Sequence, residues 1–183
     1  MSERWMSKTK TWFLVGVGIL VGLLAGVALR HFLLFGESGG RSSSMSDETA
    51  MIELFDRWER VWHEGQYDLI PSCVGQDYIR HDEKGDRTIT GDDYAAEIAK
   101  TREERPNLRF VVYDHSFAGN RAWFRFTLKW TDPTSKETRT RAGMQVYRIE
   151  AGKLAETWLM FQPLGTAWAD AVAQEHWTSQ QPT

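Results

Sequence analysis

The sequence predicts an α+β domain, an antiparallel sheet covered by helices, preceded by one transmembrane helix. Three observations carry this. From Arg121 to Gln162, polar and apolar residues alternate in three strand-length runs joined by short turns, the period-two pattern of a sheet. Ahead of them, after Ser46 and after Gly91, apolar residues recur at three- and four-residue steps, the period of an amphipathic helix. Thr11 to Leu29 is a run of nineteen residues without a charge, long enough to cross a bilayer core as a helix.

The flank 1–10 carries Arg4, Lys8 and Lys10, and Trp5 and Trp12 suit the interfacial belt of a membrane span. The anchor is assigned to 11–35, because apolar residues resume at Phe32–Phe35 after Arg30 and His31. The basic flank places the N-terminus in the cytoplasm and the domain on the outer side of a single-pass membrane protein. Two alternatives stay open: secretion after a signal peptide is cut near Gly26-Val27-Ala28, and a soluble protein whose translation starts at Met45. Gly18, Gly22 and Gly26 fall on one helical face and permit close transmembrane packing. Residues 36–46, rich in Gly and Ser, read as a flexible linker.

The folded domain is assigned to 47–177, with a disordered tail at 178–183. Ser46 caps a helix whose stripe is Ile52, Phe55, Trp58 and Trp62, and which ends at Gly65. Tyr67–Pro71 gives a short helical turn, Gln76–His81 a short strand, and Asp82–Asp86 a polar loop. Gly91-Asp92-Asp93 opens a second helix with Tyr94, Ala95, Ile98 and Ala99 inward, stopped by Pro106. Asn107–Phe117 is a strand, and Ala118-Gly119-Asn120 turns into the three central strands, 121–130, 138–150 and 153–162. Short loops between consecutive strands imply an antiparallel meander. A short docking helix is expected around Ala167–Gln174.

Counting register divides the sheet into two faces. Phe124, Phe126, Leu128 and Trp130 fall with Ala142, Met144, Val146, Leu159 and Phe161 on an apolar face. Trp123, Arg125, Arg139, Arg141, Gln145, Tyr147, Glu156, Trp158, Met160 and Gln162 fall on a mixed one. The mixed face is too apolar for plain solvent, which leaves a pocket or an interface there beside the reading of a solvated face.

Composition excludes several functions. Of the 22 basic and 25 acidic residues, five and two lie in 1–41, leaving 17 and 23, a net of −6, for the rest. An acidic domain without a Lys/Arg stripe is not a nucleic-acid binder. Cys73 is the sole cysteine and has no partner for an internal disulfide. No two histidines have metal-ligand spacing, and no phosphate loop, dinucleotide fingerprint or nucleophile elbow is present. No metal or cofactor is therefore expected.

Three segments in order carry a family resemblance: Tyr78-Ile79-Arg80-His81-Asp82, Gly91-Asp92-Asp93-Tyr94 with Pro106-Asn107-Leu108-Arg109-Phe110, and the run from Tyr147 to Trp158. Over residues 47–164 the chain resembles the SnoaL-like branch of the nuclear-transport-factor-2-like superfamily. The resemblance implies a curved sheet wrapped by helices into a cone, an apolar pocket inside, and dimerisation through the sheet. It also implies either chemistry on small hydrophobic molecules or no chemistry at all. Similar anchored domains serve as subunits of envelope complexes.

Polyketide-cyclase members carry an acid four residues after the tryptophan that matches Trp158. Here that position is Gln162, and an amide exchanges no proton at neutral pH. His81 is then the candidate acid/base. Trp58, Trp62, Tyr78, Arg141, Trp158 and Gln162 are the expected pocket, although Trp58 and Trp62 also suit a plain core. The leading expectation is a membrane-anchored domain that binds a small hydrophobic ligand or an envelope protein partner and forms a homodimer. The alternative is an acid/base enzyme, a cyclase, hydrolase, dehydratase or isomerase, acting on a small apolar substrate.

Overall fold

The computed structural model describes residues 40–169 and 171–179. The expected anchor at 11–35, with Gly18, Gly22 and Gly26, lies outside the described residues, as do 1–10 and 180–183. Among the described residues no helix is long and apolar enough to cross a membrane. This corrects the location read from the sequence: nothing described supports a single-pass membrane protein, and that assignment is dropped.

Helix α1 spans Gly40–Glu64, so it reaches back into the stretch read as a linker. Its inward stripe is Met51, Leu54, Phe55, Trp58 and Val61, all buried, while Asp56 and Arg60 face solvent. The stripe lies slightly to one side of the one read from sequence, leaving Ile52 and Trp62 half-buried. Gly65 ends the helix at φ +75°, where a side chain is strained. A 3₁₀ turn at Tyr67–Leu69 and the short helix α2, Ile70–Cys73, lead into the sheet. Helix α3, Gly91–Glu104, starts where Thr90 Oγ1 accepts a bond from the Asp93 amide, and buries Tyr94 and Ile98.

Six strands form one sheet: β1 Val74–Asp82, β2 Gly85–Ile89, β3 Arg109–Ala118, β4 Arg121–Thr131, β5 Thr138–Glu150 and β6 Lys153–Phe161. Their order is β2-β1-β6-β5-β4-β3. The β3–β6 meander is antiparallel as expected, but β1 pairs with β6 in parallel. The sheet is therefore mixed, which corrects the all-antiparallel expectation. The segment read as a polar loop is a tight hairpin into β2, with Gly85 at φ +90°.

The register also corrects the two faces. Phe124 pairs with Gln145, Phe126 with Gly143, and Leu128 with Arg141. Thr157 pairs with Tyr147, and Leu159 with Gln145. The odd residues of β5 thus share the helix-covered inner face with Phe124 and Phe126, while Ala142, Met144 and Val146 share the outer face with Trp123 and Trp158. Apolar content misassigned β5 because its inner positions are polar or small for a steric reason. A Cβ at Gly143 would lie 2.7 Å from the Phe126 ring and 3.0 Å from the Phe161 ring.

No helix forms at 167–174; the described residues after Phe161 form neither helix nor strand. Trp168 instead donates its indole N–H to the Phe126 carbonyl at 2.9 Å, beside the register shift in β3 between Val112 and Asp114. Trp177 belongs to the fold. It is buried against Phe110 and Phe124.

Candidate functional site

The inner face of the sheet and helices α1 and α3 enclose the aromatic heart of the domain. Phe55, Trp58, Tyr78, Tyr94, Phe124 and Phe126 are each at most 2% exposed. Trp58 meets Tyr94 at 5.7 Å between centroids, Tyr94 meets Tyr78 at 5.4 Å, and Phe55 meets Phe124 at 4.6 Å. Each ring is delivered by a simple periodicity: Phe55 and Trp58 lie three apart on α1, and Phe124 and Phe126 two apart on β4. Trp62, Leu159, Phe161 and Trp130 pack around this cluster and keep some solvent contact.

One charged group lies inside. Arg80 is 4% exposed and pairs in register with Thr157, so alternation turns it inward with Tyr78 and Asp82. Its Nε and Nη2 bond to Asp82 Oδ2 at 3.0 and 2.8 Å. Its Nη1 bonds to the Tyr94 hydroxyl, and its guanidinium lies 4.5 Å from the centre of the Tyr94 ring. Asp82 Oδ1 accepts from Arg87 at 2.6 Å and from the Lys84 amide at 2.9 Å. Arg87 reaches on to Glu97 at 2.9 Å. A buried carboxylate shared by two guanidiniums has the partners that its burial demands.

The proton inventory of this interior follows from those contacts. Burial alone raises the Asp82 carboxyl, but bonds from Arg87, the Lys84 amide and Arg80 outweigh it and bring it down to about 2. Burial pushes the Tyr78 and Tyr147 phenols well up. The Tyr147 hydroxyl accepts from the Trp58 indole at 3.3 Å. Gln145 donates to Thr157 Oγ1 at 3.0 Å, and that hydroxyl donates to the Val146 carbonyl at 3.0 Å. At neutral pH, Asp82 stays ionised and the two phenols stay neutral.

His81 points the other way. It pairs with Trp158, on the outer face. Its ring stacks on Trp158 at 5.2 Å with planes 8° apart, and Arg121 lies 5.0 Å from the centre of the same indole. Nδ1 meets Asp86 at 2.8 Å and Nε2 meets Glu156 at 2.9 Å. Glu156 also takes Arg148 at 2.8 Å. The bonds to Glu156 and Asp86 favour the imidazolium and raise the His81 pKa.

Of the residues nominated from sequence, Trp58, Trp62 and Tyr78 meet in the interior. Arg141 shares the inner face, where it bonds to Glu83 and to the Gln162 carbonyl at 2.7 Å and covers Phe161 at 4.7 Å. Gln162 follows the end of β6 with its side chain exposed, and its amide donates to the Ala142 carbonyl. His81 and Trp158 lie across the sheet from the interior. The sequence reading passed over Arg80, Asp82 and Tyr94 as a set. A signal was available: Tyr78 and His81 are three residues apart, so one regular strand cannot turn both inward. Among the described residues no group of three or more His, Cys, Asp or Glu is placed to hold a metal ion.

A mixed sheet closed on one face by helices, with an aromatic interior, defines the cone class of the nuclear-transport-factor-2-like fold. Residues 55–157 match the SnoaL-like domain family. The chain belongs to that family. Solved structures agree on the fold. A SnoaL-like polyketide cyclase from Agrobacterium tumefaciens superposes with a TM-score of 0.53 at 15% identity, covering 60% of this chain and 88% of the other. TsrD from Streptomyces laurentii gives 0.54 at 18% identity, covering 62% and 88%. A ketosteroid isomerase-like fold protein from Catenulispora acidiphila, in complex with trimethylamine, gives 0.52 at 13% identity, covering 59% and 84%. No curated protein matches the sequence.

Proposed function

We propose that this SnoaL-like domain binds a small hydrophobic ligand against the aromatic inner face, and does so without acid/base catalysis by His81. An aromatic lining with a few fixed polar groups is the usual make-up of a small-molecule site. The half-buried Trp62, Trp130, Leu159 and Phe161 supply apolar surface within reach of solvent. The observation that carries the reading is the Arg80–Asp82–Tyr94 group. The Asp82 carboxyl in it is held at about 2, so it stays an acceptor that can orient a polar atom of a ligand and is no proton donor at neutral pH. The enzymatic alternative relied on His81, and that imidazole and the interior are on opposite sides of the sheet. The aromatic inner face makes polycyclic aromatic compounds the first class to try, and one solved structure of this fold bears the name polyketide cyclase.

The outer face supports a second element of this reading, self-association of two copies. Met144 and Met160 are 43% and 75% exposed there, beside Trp123, Val146 and Trp158.

The test is native mass spectrometry of the purified protein, followed by solvent extraction and thermal-shift screening with polycyclic aromatics. A small-molecule adduct, or a stabilising compound, should survive His81→Ala and disappear in Leu159→Trp, which fills the inner face. Protein that carries no adduct and responds to no compound overturns the binding reading. Loss of the ligand in His81→Ala overturns the exclusion of His81.

A further inference from the structure

A second site lies between α1, β3 and the C-terminal strap, at the edge of the aromatic interior, where Trp177 also meets Phe124 at 6.1 Å. A cleft of about 770 Å³ opens there, within the size range of small-molecule pockets. One wall is Trp177, and that residue is seated as a ligand would be. Its ring is met edge-on by His63 at 5.5 Å and by Phe110 at 5.5 Å. Its indole N–H donates to the Phe110 carbonyl at 3.2 Å, and its backbone N–H donates to Glu59 at 3.1 Å.

Glu59 and His63 of α1 and Phe110 of β3 build the seat. The Phe110 amide donates to His63 Nε2 at 3.0 Å, which makes that nitrogen an acceptor and assigns the proton to Nδ1. Nδ1–H then faces Glu59 Oε1 at 3.3 Å and fixes the carboxylate. Burial raises the Glu59 carboxyl, but His63 and the Trp177 amide outweigh it, so it stays ionised. Around the cleft the carboxylates of Asp56, Glu59, Glu64 and Glu175 outnumber the guanidiniums of Arg60 and Arg109. Among the described residues the strap forms no helix or strand and is held by separate contacts: the Gln174 amide donates to the Val112 carbonyl at 2.8 Å, the Gln174 side chain meets His115 at 3.2 Å, Thr178 bonds to Asp56 at 2.9 Å, and His176 lies 3.8 Å from Glu59.

We infer that this notch is a binding site for a planar aromatic amine, a bicyclic ring with an N–H donor and a cationic nitrogen, which takes the place of Trp177. The ring occupies the indole seat, its N–H meets the Phe110 carbonyl, and the cation meets the Glu59 carboxylate, which in the closed form accepts the Trp177 amide and faces His63 and His176. The strap is the occupant that the chain itself supplies, and it competes with the ligand.

Tryptamine is the probe, and indole-3-acetate, which reverses the charge, is the control. By calorimetry on the full chain, Trp177→Ala should bind tryptamine roughly tenfold or more tightly than the wild type, because the competitor is gone. It should prefer tryptamine to indole-3-acetate by about tenfold, and adding Glu59→Gln should erase that preference. Equal affinity of the wild type and Trp177→Ala, or equal binding of the two compounds, overturns the site. Should Trp177→Ala fail to fold, hydrogen exchange on the wild type decides. Saturating tryptamine must speed exchange at the Gln174 and Trp177 amides, and unchanged exchange there overturns the proposal.

Discussion

His81 bonds a carboxylate through each ring nitrogen, and that pair of contacts gives it a structural charge. Asp86 belongs to β2 and Glu156 to β6, so the imidazolium ties both neighbours of β1 together on the outer face. Neutral imidazole has one N–H and can serve only one of them as donor. The folded-state pKa is raised above the ordinary value of about 6.5. A raised value means the folded state holds its proton more tightly than the unfolded chain does. The stabilisation is therefore complete below about pH 6.5 and is lost as pH rises through the folded pKa. Urea midpoints of the wild type should fall as pH increases through that window, and those of His81→Gln should be flat across it. Parallel profiles for the two proteins would remove the imidazolium from this role. At this scale the sequence showed that a histidine here was worth attention but not where it pointed. The direction depends on the pairing of β1 with β6, strands more than seventy residues apart, and on the register shift between Val74 and Ile79.

Among the elements, the two amphipathic helices were legible as helices, because apolar steps of three and four have one solution, but the stripe of α1 was read one step round, as Ile52, Phe55, Trp58 and Trp62, and the short helix expected at 167–174 was not found among the described residues. The strands of the meander were legible as strands, but β5 was not legible by face. Gly143, Gln145 and Tyr147 look like the solvated set beside Ala142, Met144 and Val146, yet they face the helices. Space explains the inversion: the Phe126 and Phe161 rings close over Gly143, and Tyr147 reaches Trp58. Gly143→Ala tests that account. Its Cβ would stand 2.7 Å from Phe126 Cζ, and Phe126 is 2% exposed, so the ring has no free space to yield into. The expected cost is about 1–3 kcal/mol, the usual range for overpacking a close-packed core. A urea titration with unchanged slope and a lowered midpoint checks it, and a wild-type midpoint would mean the ring moves aside freely. The β2 hairpin was missed because four charged residues around a glycine, Asp82–Asp86, read as loop, whereas the exposed edge of a sheet tolerates such residues.

At the scale of the molecule, the order of elements was enough to identify the family, while the interior set of Arg80, Asp82 and Tyr94 required the register. The outer face is where the whole molecule makes its own prediction. Met160 is 75% exposed and pairs across β5–β6 with Met144, itself 43% exposed. Trp158 and Val146 form the next pair along the same face. The charged residues around them are largely satisfied within the chain: Arg148 by Glu156 and Glu150, and His81 by Glu156 and Asp86. An apolar centre with a self-satisfied charged rim can meet a second copy of itself without leaving a buried ion unpaired. Around a two-fold axis each Met160 contacts the same patch of its mate, so one substitution acts twice. Met160→Glu would bring two carboxylates into that centre, where they repel each other and both lose water. Light scattering coupled to size exclusion should report a dimer for the wild type and a monomer for Met160→Glu. The urea midpoint of the variant, measured at a concentration where the wild type has also dissociated, should match the wild type, since the residue contributes little to the fold of a single chain. A wild-type protein that stays monomeric as its concentration rises through the micromolar range would show that this face serves no second copy.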